Sequence, residues 1–238
     1  MRIHGFNKTT LLDYPGHLAA TIFLGNCNFR CPFCHNSSLV LSPDALPEID
    51  TTEVLQTLKK RSNILEGVCI TGGEPTLQKE LPDFIREIKA LGLKVKLDTN
   101  GTNPKLIDRL FSEELIDYVA MDIKNSRDKY LETAGIMSGS SLSNELLSSV
   151  MTSVELLMQQ DKPYEFRTTI VHELHTKEDI RSIGEWLEGC NAYFLQAYED
   201  SGNTIRPGFT SPSPQELLSY KEILIPFIPN VSIRGVDL

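Results

Sequence analysis

Three cysteines stand close together near the N-terminus, at Cys27, Cys31 and Cys34, with the spacing C-x₃-C-x₂-C. Thiolates this close in sequence can bind one metal centre without ligands from distant residues. A [4Fe–4S] cluster normally takes four cysteine ligands, so a set of three would leave one iron with an open coordination position. An open position usually separates catalytic metal sites from closed structural ones. The spacing therefore predicts a catalytic iron–sulfur cluster.

Other uses of these cysteines stay open at this point. His35 directly follows Cys34, so a structural zinc site of three cysteines and one histidine is conceivable, as is a disulfide. Structural zinc usually takes its ligands as two separated pairs, each in a short turn, which favours iron over zinc here. Cys69 and Cys190 are isolated in apolar segments and are expected to lie in the core.

The cysteine spacing resembles that of the radical S-adenosylmethionine (SAM) enzymes. The likeness extends to residues 5–6, 11–16, 25–36 and 71–75, the last of which read Thr-Gly-Gly-Glu-Pro. Together these segments resemble the activating proteins of glycyl-radical enzymes, most of all the anaerobic ribonucleoside-triphosphate reductase activating protein group.

The resemblance implies a cofactor set and its binding residues. Cys27, Cys31 and Cys34 would hold a [4Fe–4S] cluster, and SAM would chelate the open iron. Gly72 and Gly73, which have no Cβ, would let the backbone approach the methionine amino group. The other residues expected at the cofactors are Phe33, His35, Glu74, Asp98, Thr99, Asn100, Asp122, Lys124 and Gln196.

Two of these residues, Asp98 and Asp122, would repel the carboxylate of bound SAM. The repulsion amounts to ~1 to 4 kcal/mol per pair, depending on the effective dielectric, so a positive charge should offset it. Lys124 is one candidate. The other is a monovalent cation held by both aspartates, the Thr99 hydroxyl and the Ala120 carbonyl, which resembles the cation site of the pyruvate formate-lyase activases.

The implied reaction is reductive cleavage of SAM to methionine and a 5′-deoxyadenosyl radical, which would take a hydrogen atom from a glycine Cα of a partner enzyme. That partner would be an anaerobic ribonucleotide reductase or a pyruvate formate-lyase type enzyme, and the electron would come from a donor such as flavodoxin or ferredoxin. The alternatives are a radical SAM enzyme acting on a small molecule or another peptide, and a non-catalytic metal- or cluster-binding module.

The elements that position these residues alternate regularly along the chain. Six apolar strand segments are each followed by a helical pattern, and the connections are short enough to require right-handed parallel crossovers. This predicts an α/β protein with a partial (β/α)₆ TIM-like barrel, which the resemblance also implies, formed by residues 1–238 as a single domain. An open doubly wound sheet is the alternative. In β/α barrels, active sites lie at the C-terminal ends of the strands, where the residues above are found.

Some details of the chain carry their own expectations. Residues 2–12 and 18–24 are predicted to pair as a hairpin, residues 37–49 to be loose, and residues 125–144 to form an irregular, mobile loop. Helix caps are predicted at Asp50, Asn103, Thr176 and Ser213. No role is assigned to Arg167 or His172.

Composition limits the class of protein further. The chain has 238 residues, 40% hydrophobic and 23% charged, with a formal net charge of −9. This balance indicates a globular protein and argues against nucleic acid as a partner, since phosphate binding needs clustered Lys and Arg. No apolar run approaches the ~20 residues of a membrane span, and the N-terminus has no apolar signal core. A cytoplasmic protein without membrane partners is expected.

Overall fold

The computed structural model describes residues 1–236. Its packing divides the chain into two compact units. The first unit comprises Met1–Asn28, Asn36–Ala120 and Asp161–Pro163. The second unit comprises Phe29–His35, Met121–Gln160 and the residues from Tyr164 onward. The single domain predicted from the sequence stays a prediction.

The first unit is built on four strands that pair in chain order. Strand β1 (Ile3–Thr10) lies antiparallel to β2 (Ala19–Leu24), which confirms the predicted hairpin. Strands β3 (Gly67–Gly72) and β4 (Lys94–Thr99) then add in parallel. Strand β2 is apolar at nearly every position and buried along its length, as expected for a parallel strand covered on both faces.

Four helices complete the first unit: α1 (Ser37–Leu41), α2 (Thr51–Arg61), α3 (Leu81–Ala90) and α4 (Pro104–Ser112). The predicted caps of α2 and α4 are confirmed. Asp50 accepts a hydrogen bond from the Thr52 amide, and Asn103 accepts one from the Leu106 amide with Pro104 at the first helical position. The expectation of a loose segment at 37–49 is wrong in part, because α1 lies within it.

Strand β5 (Tyr118–Asp122) leads into the second unit, where β6 (Tyr164–Ile170), β7 (Tyr193–Ala197) and β8 (Val231–Arg234) pair in parallel. The helices of this unit are α5 (Tyr130–Thr133), α6 (Ser141–Met158), α7 (Lys177–Trp186) and α8 (Pro214–Leu224). Thr176 caps α7 as predicted, and it forms a capping box with Asp179.

Ser213 caps α8 as predicted, and Glu216 is at the third helical position, where a capping box places its acidic side chain. The Glu216 amide donates to the Ser213 hydroxyl, whereas the Glu216 carboxylate contacts the His172 ring and accepts from the Tyr220 hydroxyl. A tertiary contact therefore takes the side chain that the local pattern assigns to the cap.

The segment 125–144 is more ordered than its polar composition suggests. Helix α5 lies within it, and α6 begins at Ser141. Asn125 is fully buried, and its side-chain amide donates to the Thr133 hydroxyl and the Leu174 carbonyl. The prediction of an irregular loop is therefore wrong in part, since residues 130–133 and 141–144 are helical.

The strands follow one another in the sheet in the order β1 to β8. A doubly wound sheet reverses its strand order at a switch point, and no reversal occurs among the described strands, so that alternative is wrong. Strands β2 to β7 correspond to the six strands of the predicted strand–helix units. The fold is of the α/β class and of the partial TIM-barrel type. Within the described residues, every helix is too short or too polar to cross a membrane.

Candidate functional site

The predicted site residues occupy the last two positions of strands or the loops that follow them, and they divide between the two units. The first unit contains Cys27, Gly72, Gly73, Glu74, Asp98, Thr99 and Asn100. The second unit contains Cys31, Phe33, Cys34, His35, Asp122, Lys124 and Gln196. The structure brings residues together within each of these groups, as follows.

Glu74 is the centre of the first group. Its side chain is fully buried, and its Oε1 accepts hydrogen bonds from the Thr76 amide (3.0 Å), the Thr76 hydroxyl (2.5 Å) and the Thr99 hydroxyl (2.8 Å). Its Oε2 accepts one from the Asn100 amide at 2.7 Å. Burial raises the pKa of Glu74, and these hydrogen bonds oppose the shift. The carboxylate thus ties the turn after β3 to the end of β4, a structural role that the sequence did not suggest.

Close contacts between backbone segments leave no room for a side chain at Gly72 or Gly73. A Cβ on Gly73 would lie 2.0 Å from the Asn26 carbonyl oxygen and 3.4 Å from the Cys27 Cβ. Gly72 has a φ of +119°, and a Cβ there would lie 2.3 Å from the Leu24 amide nitrogen. The glycines therefore allow the turn after β3 to pack against the chain that leads into Cys27. Their predicted contact with SAM stays a prediction.

Asn100 links the end of β4 to the cysteine loop. Its Nδ2 donates to the Asn28 Oδ1 at 2.8 Å and lies 3.9 Å from the Cys27 Sγ. Its Oδ1 accepts from the Thr102 amide at 3.0 Å and the Thr102 hydroxyl at 2.7 Å. The Asn28 amide in turn donates to the Thr102 hydroxyl at 2.8 Å. Cys27 is thus adjacent to a closed hydrogen-bond network formed by Asn28, Asn100 and Thr102.

Asp98 forms a buried ion pair with Lys96, two residues earlier on the same strand. Both side chains are almost fully buried, and the Lys96 ammonium also lies 3.7 Å from the Cys69 Sγ across the β3–β4 ladder. Strand residues two apart point to the same face, so this pair could have been found from the sequence. Lys96 supplies the first unit with a positive charge beside Asp98.

In the second unit, Cys31 and Phe33 are buried and Cys34 is partly exposed. The Cys34 amide donates to the Cys31 carbonyl at 3.0 Å, which closes a tight turn. Burial raises the pKa of the Cys31 thiol to about 11, while the positive charge of Lys124 opposes that shift. Binding as a thiolate ligand would therefore require displacement of a proton by the metal.

The middle of the cysteine loop lies against the segment around α5. The Arg30 amide donates to the Ala134 carbonyl at 2.9 Å, and the Phe29 and Tyr130 rings meet edge to face. Gly135 has a φ of +68°, and a Cβ on it would lie 2.0 Å from the Arg30 carbonyl oxygen. Sequence reasoning missed this support, because nothing local to residues 130–135 indicates which distant segment they contact.

Asp122 has two cationic partners of its own unit. The Lys124 ammonium lies 2.8 Å from one carboxylate oxygen and the Arg167 Nε lies 2.5 Å from the other. Although burial opposes the charged form, these two cations hold the pKa of Asp122 well below its usual range. The pKa of Lys124 is correspondingly raised by Asp122. Lys124 is one of the two candidates that the sequence offers for a positive charge near the aspartates, and it does offset the negative charge of Asp122. Arg167, to which the sequence assigns no role, offsets the same charge.

His35 and Gln196 are both associated with β7. The His35 ring stacks on Tyr198, with centroids 5.2 Å apart, and its Nδ1 lies 3.3 Å from the Ser201 hydroxyl. The chain beyond Tyr198 also contacts the cysteine loop, since the Arg206 amide donates to the Pro32 carbonyl at 2.8 Å. Gln196 lies on β7 beside Thr169 of β6. Whether His35 and Gln196 contact a cofactor stays a prediction.

The donor set of the loop fits an iron–sulfur cluster. None of the five cysteines, all of which the structure describes, forms a disulfide, so that alternative is wrong. The Cys27 sulfur has an amide N–H beside it, which favours thiolate. Burial raises the pKa of the Cys31 thiol, and the Lys124 charge partly offsets that shift. Across residues 1–236, no three His, Cys, Asp or Glu side chains are gathered closely enough to hold a metal ion as they stand.

Comparison with known proteins defines the class. A family model described as the Radical SAM superfamily matches residues 21–187, which include all three cysteines of the loop and the Gly-Gly-Glu-Pro turn. The chain belongs to the radical SAM superfamily, whose members use a [4Fe–4S] cluster and SAM. The resemblance noted from the sequence is thereby confirmed.

Two curated relatives narrow the comparison. The chain is 32% identical over 238 residues to "Putative glycyl-radical enzyme activating enzyme MJ1227" of Methanocaldococcus jannaschii, covering 99% of this chain and 96% of that protein. It is 24% identical over 201 residues to the pyruvate formate-lyase-activating enzyme of Staphylococcus epidermidis, covering 79% and 76% of the two chains.

A solved structure supports the fold. The crystal structure of Streptococcus suis SuiB bound to S-adenosylmethionine matches 90% of this chain with a TM-score of 0.66 and 13% identity. The chain spans about half the length of that protein, since the match covers 52% of SuiB. This likeness concerns the fold alone.

Proposed function

We propose that this protein is a glycyl-radical enzyme activase, a radical SAM oxidoreductase whose substrate is a partner protein. The observation that carries the proposal is the similarity to MJ1227 over nearly the whole of both chains. The partner would be an anaerobic ribonucleotide reductase or a pyruvate formate-lyase type enzyme. A small protein such as flavodoxin or ferredoxin would supply the electron.

In this proposal Cys27, Cys31 and Cys34 hold the cluster. When bound, the cluster would supply the electron for reductive cleavage of SAM to methionine and a 5′-deoxyadenosyl radical, the species that would take a hydrogen atom from a glycine Cα of the partner. The cofactors carry out the bond cleavage, and the protein positions them and excludes competing reactions. No side chain of this chain is required as an acid or base.

The structure supports separate roles for the residues around the loop. Glu74 and Asn100 hold the first unit's turn beside Cys27. Lys96 offsets Asp98, and Lys124 and Arg167 offset Asp122, so each carboxylate keeps its negative charge without repelling an anionic ligand strongly. Phe33 is a buried apolar surface in the loop itself, suited to contact with an adenine ring.

The first experiment tests the ligand set. After anaerobic reconstitution we expect about four irons per chain, as one [4Fe–4S] cluster requires. Cys27→Ala, Cys31→Ala and Cys34→Ala should each lose the cluster, whereas Cys69→Ala and Cys190→Ala, at buried cysteines outside the loop, should retain it. A wild type that binds only zinc and cleaves no SAM would indicate a non-catalytic module instead.

The second experiment tests the substrate. The reconstituted protein, with SAM and a reductant, is mixed anaerobically with a glycyl-radical enzyme encoded beside it in the genome. We expect the electron paramagnetic resonance doublet of a glycyl radical, at one spin or less per partner chain, and none with the Cys31→Ala variant. SAM cleavage without any radical on the partner would favour a small-molecule or other peptide substrate.

A further inference from the structure

Asn100 is held in one orientation by its neighbours. Side-chain amides are ambiguous by a half-turn, and hydrogen-bond partners decide between the two orientations. Here the backbone amide nitrogen of Thr102, which can only donate a hydrogen bond, lies 3.0 Å from one of the two terminal atoms of the Asn100 side chain. That atom must be the carbonyl oxygen, so the NH₂ group lies on the other side, towards Asn28 and Cys27.

The two hydrogens of that NH₂ group have two separate destinations. One is directed to the Asn28 Oδ1 at 2.8 Å, and the second lies beside the Cys27 Sγ, 3.9 Å from the nitrogen. Asn28 is itself fixed, because its NH₂ donates to the Thr102 hydroxyl. Asn100 is 4% exposed, so bulk water does not compete strongly for the N–H beside the sulfur.

The strand end that carries Asn100 is also fixed. The Asn100 backbone amide donates to Glu74 at 2.7 Å, and the preceding Thr99 hydroxyl donates to the same carboxylate at 2.8 Å. The amide donor beside Cys27 is therefore built into the packed interior of the first unit and does not depend on a flexible loop residue.

We propose that Asn100 is a positioning residue that donates an N–H···S hydrogen bond to the Cys27 thiolate and thereby raises the reduction potential of the cluster. Hydrogen bonds to ligand sulfurs are among the factors that set the potentials of iron–sulfur clusters. A donor draws electron density from the sulfur and so stabilises the reduced, more electron-rich state. The inference depends on the proposed function in one respect, namely that Cys27 is a cluster ligand.

The test measures the midpoint potential of the reconstituted cluster without SAM, by redox titration followed by electron paramagnetic resonance. Asn100→Leu keeps the size of the side chain and removes the donor, and Asn100→Asp keeps its shape and also removes the donor. Each should lower the potential, shifting the reduction equilibrium by about tenfold, which corresponds to about 59 mV for one electron.

The matched control is Thr102→Ser. It removes one methyl group but keeps the hydroxyl that holds Asn28 and the backbone amide that orients Asn100, so the potential should stay at the wild-type value. An unchanged potential in the Asn100 variants would overturn the inference, and so would an equal fall in Thr102→Ser, which would indicate general loosening of the loop. Failure of both Asn100 variants to load a cluster that Thr102→Ser does load would assign Asn100 to cluster assembly and also overturn it.

A failure of the hydrogen-bond inference can be told apart from a failure of the proposed cluster ligands. If Cys27→Ala retained a full [4Fe–4S] cluster, Cys27 would not be a ligand, whatever the Asn100 variants showed. If Cys27→Ala lost the cluster and the Asn100 variants kept the wild-type potential, Cys27 would be supported as a cluster ligand and only the hydrogen bond from Asn100 would be refuted.

Discussion

Buried polar side chains fix the geometry around the cysteine loop, and Glu74 is the clearest case. Four hydrogen-bond donors converge on its carboxylate inside the first unit. A buried donor that loses its acceptor costs about 1–3 kcal/mol. The stability of this unit therefore depends on the acceptor-only character of an ionised carboxylate.

Glu74→Gln tests this dependence. The amide keeps the size of the side chain but turns one acceptor into a donor, so at least one of the four hydrogen bonds is lost. We expect the free energy of unfolding to fall by about 1–3 kcal/mol in anaerobic urea denaturation. Glu87→Gln, at an exposed position of α3, is the control and should change it by less than about 0.5 kcal/mol. Equal stability of the two variants would contradict the structural role of Glu74.

His175 is a second buried polar residue, and its protonation state follows from its partners. Its Nδ1 accepts from the Val171 amide at 3.1 Å and lies 3.2 Å from the Val171 carbonyl, and its Nε2 donates to the Lys124 carbonyl at 2.9 Å. The ring is 1% exposed, and burial lowers the pKa of His175. The folded state therefore holds this histidine neutral.

This arrangement predicts a loss of stability in mild acid. Below about pH 6.5 the unfolded chain binds a proton at His175 more readily than the folded chain does, so the free energy of unfolding falls as the pH falls, by at most about 1.4 kcal/mol per pH unit. His175→Gln should be less stable at pH 7 but should lack this contribution to the slope between about pH 6.5 and 5. In His172→Gln, where Glu216 raises the pKa of an exposed histidine, the slope should persist. A wild-type slope in His175→Gln would refute the assignment.

At the scale of elements, two glycines support the cysteine loop, one in each unit. Gly73, after β3, contacts the Asn26 carbonyl just before Cys27, and Gly135, after α5, contacts the Arg30 carbonyl just before Cys31. In both cases a Cβ would lie 2.0 Å from backbone oxygen, a distance that cannot be accommodated without moving the loop. We therefore expect the conformation of the loop to depend on residues distant in sequence.

Gly135→Ala should displace the Arg30 carbonyl and with it Cys31. We expect loss of more than half of the cluster on anaerobic reconstitution, measured as iron and sulfide per chain. Gly139→Ala is a matched control, because Gly139 also has a positive φ, +94°, but a Cβ on it would have no heavy atom within 4 Å. It carries the same kind of backbone strain, about 1–2 kcal/mol, without the contact, so it should load normally.

Gly73→Ala should act in the same way on the other side of the loop. The sequence alone predicts that a side chain at this position weakens SAM binding and leaves the cluster intact. The contact with Asn26 adds a further effect, because a displaced Asn26 carbonyl moves the chain next to Cys27. We expect reduced cluster content together with weaker SAM binding by equilibrium dialysis. Full cluster content with weak SAM binding would favour the simpler, sequence-based prediction.

At the scale of the whole molecule, the chain is acidic, with a formal net charge of −9, yet the two carboxylates predicted near SAM each have local cationic partners. Asp98 pairs with Lys96, and Asp122 pairs with Lys124 and Arg167. The monovalent cation stays a prediction from the sequence, and these ion pairs supply positive charge without it.

A comparison of salts decides between the two sources of charge. If the side-chain cations suffice, SAM cleavage at constant ionic strength should agree within about twofold in Na⁺, K⁺ and choline, because none of the salts then enters a site. We expect this result. Cleavage that requires Na⁺ or K⁺, and loses that requirement along with SAM affinity in Asp98→Ala, would instead favour the cation site.

The local features of this protein could be predicted from its sequence. The caps at Asp50, Asn103, Thr176 and Ser213 and the alternation of strands and helices follow from short-range rules, because hydrogen-bonding side chains and apolar periodicity act within a few residues. The cysteine spacing and the Gly-Gly-Glu-Pro turn likewise indicated the superfamily, since ligands close in sequence need no distant partner.

The support of the cysteine loop, in contrast, depends on tertiary packing. Asn100 contacts Cys27, and Gly135 contacts Arg30, across long stretches of intervening chain. The Glu216 carboxylate shows the same effect, since it contacts His172, 44 residues away in the sequence, and does not complete the helix cap. Local patterns cannot specify such contacts, because burial and hydrogen bonding between distant segments are properties of the packed chain.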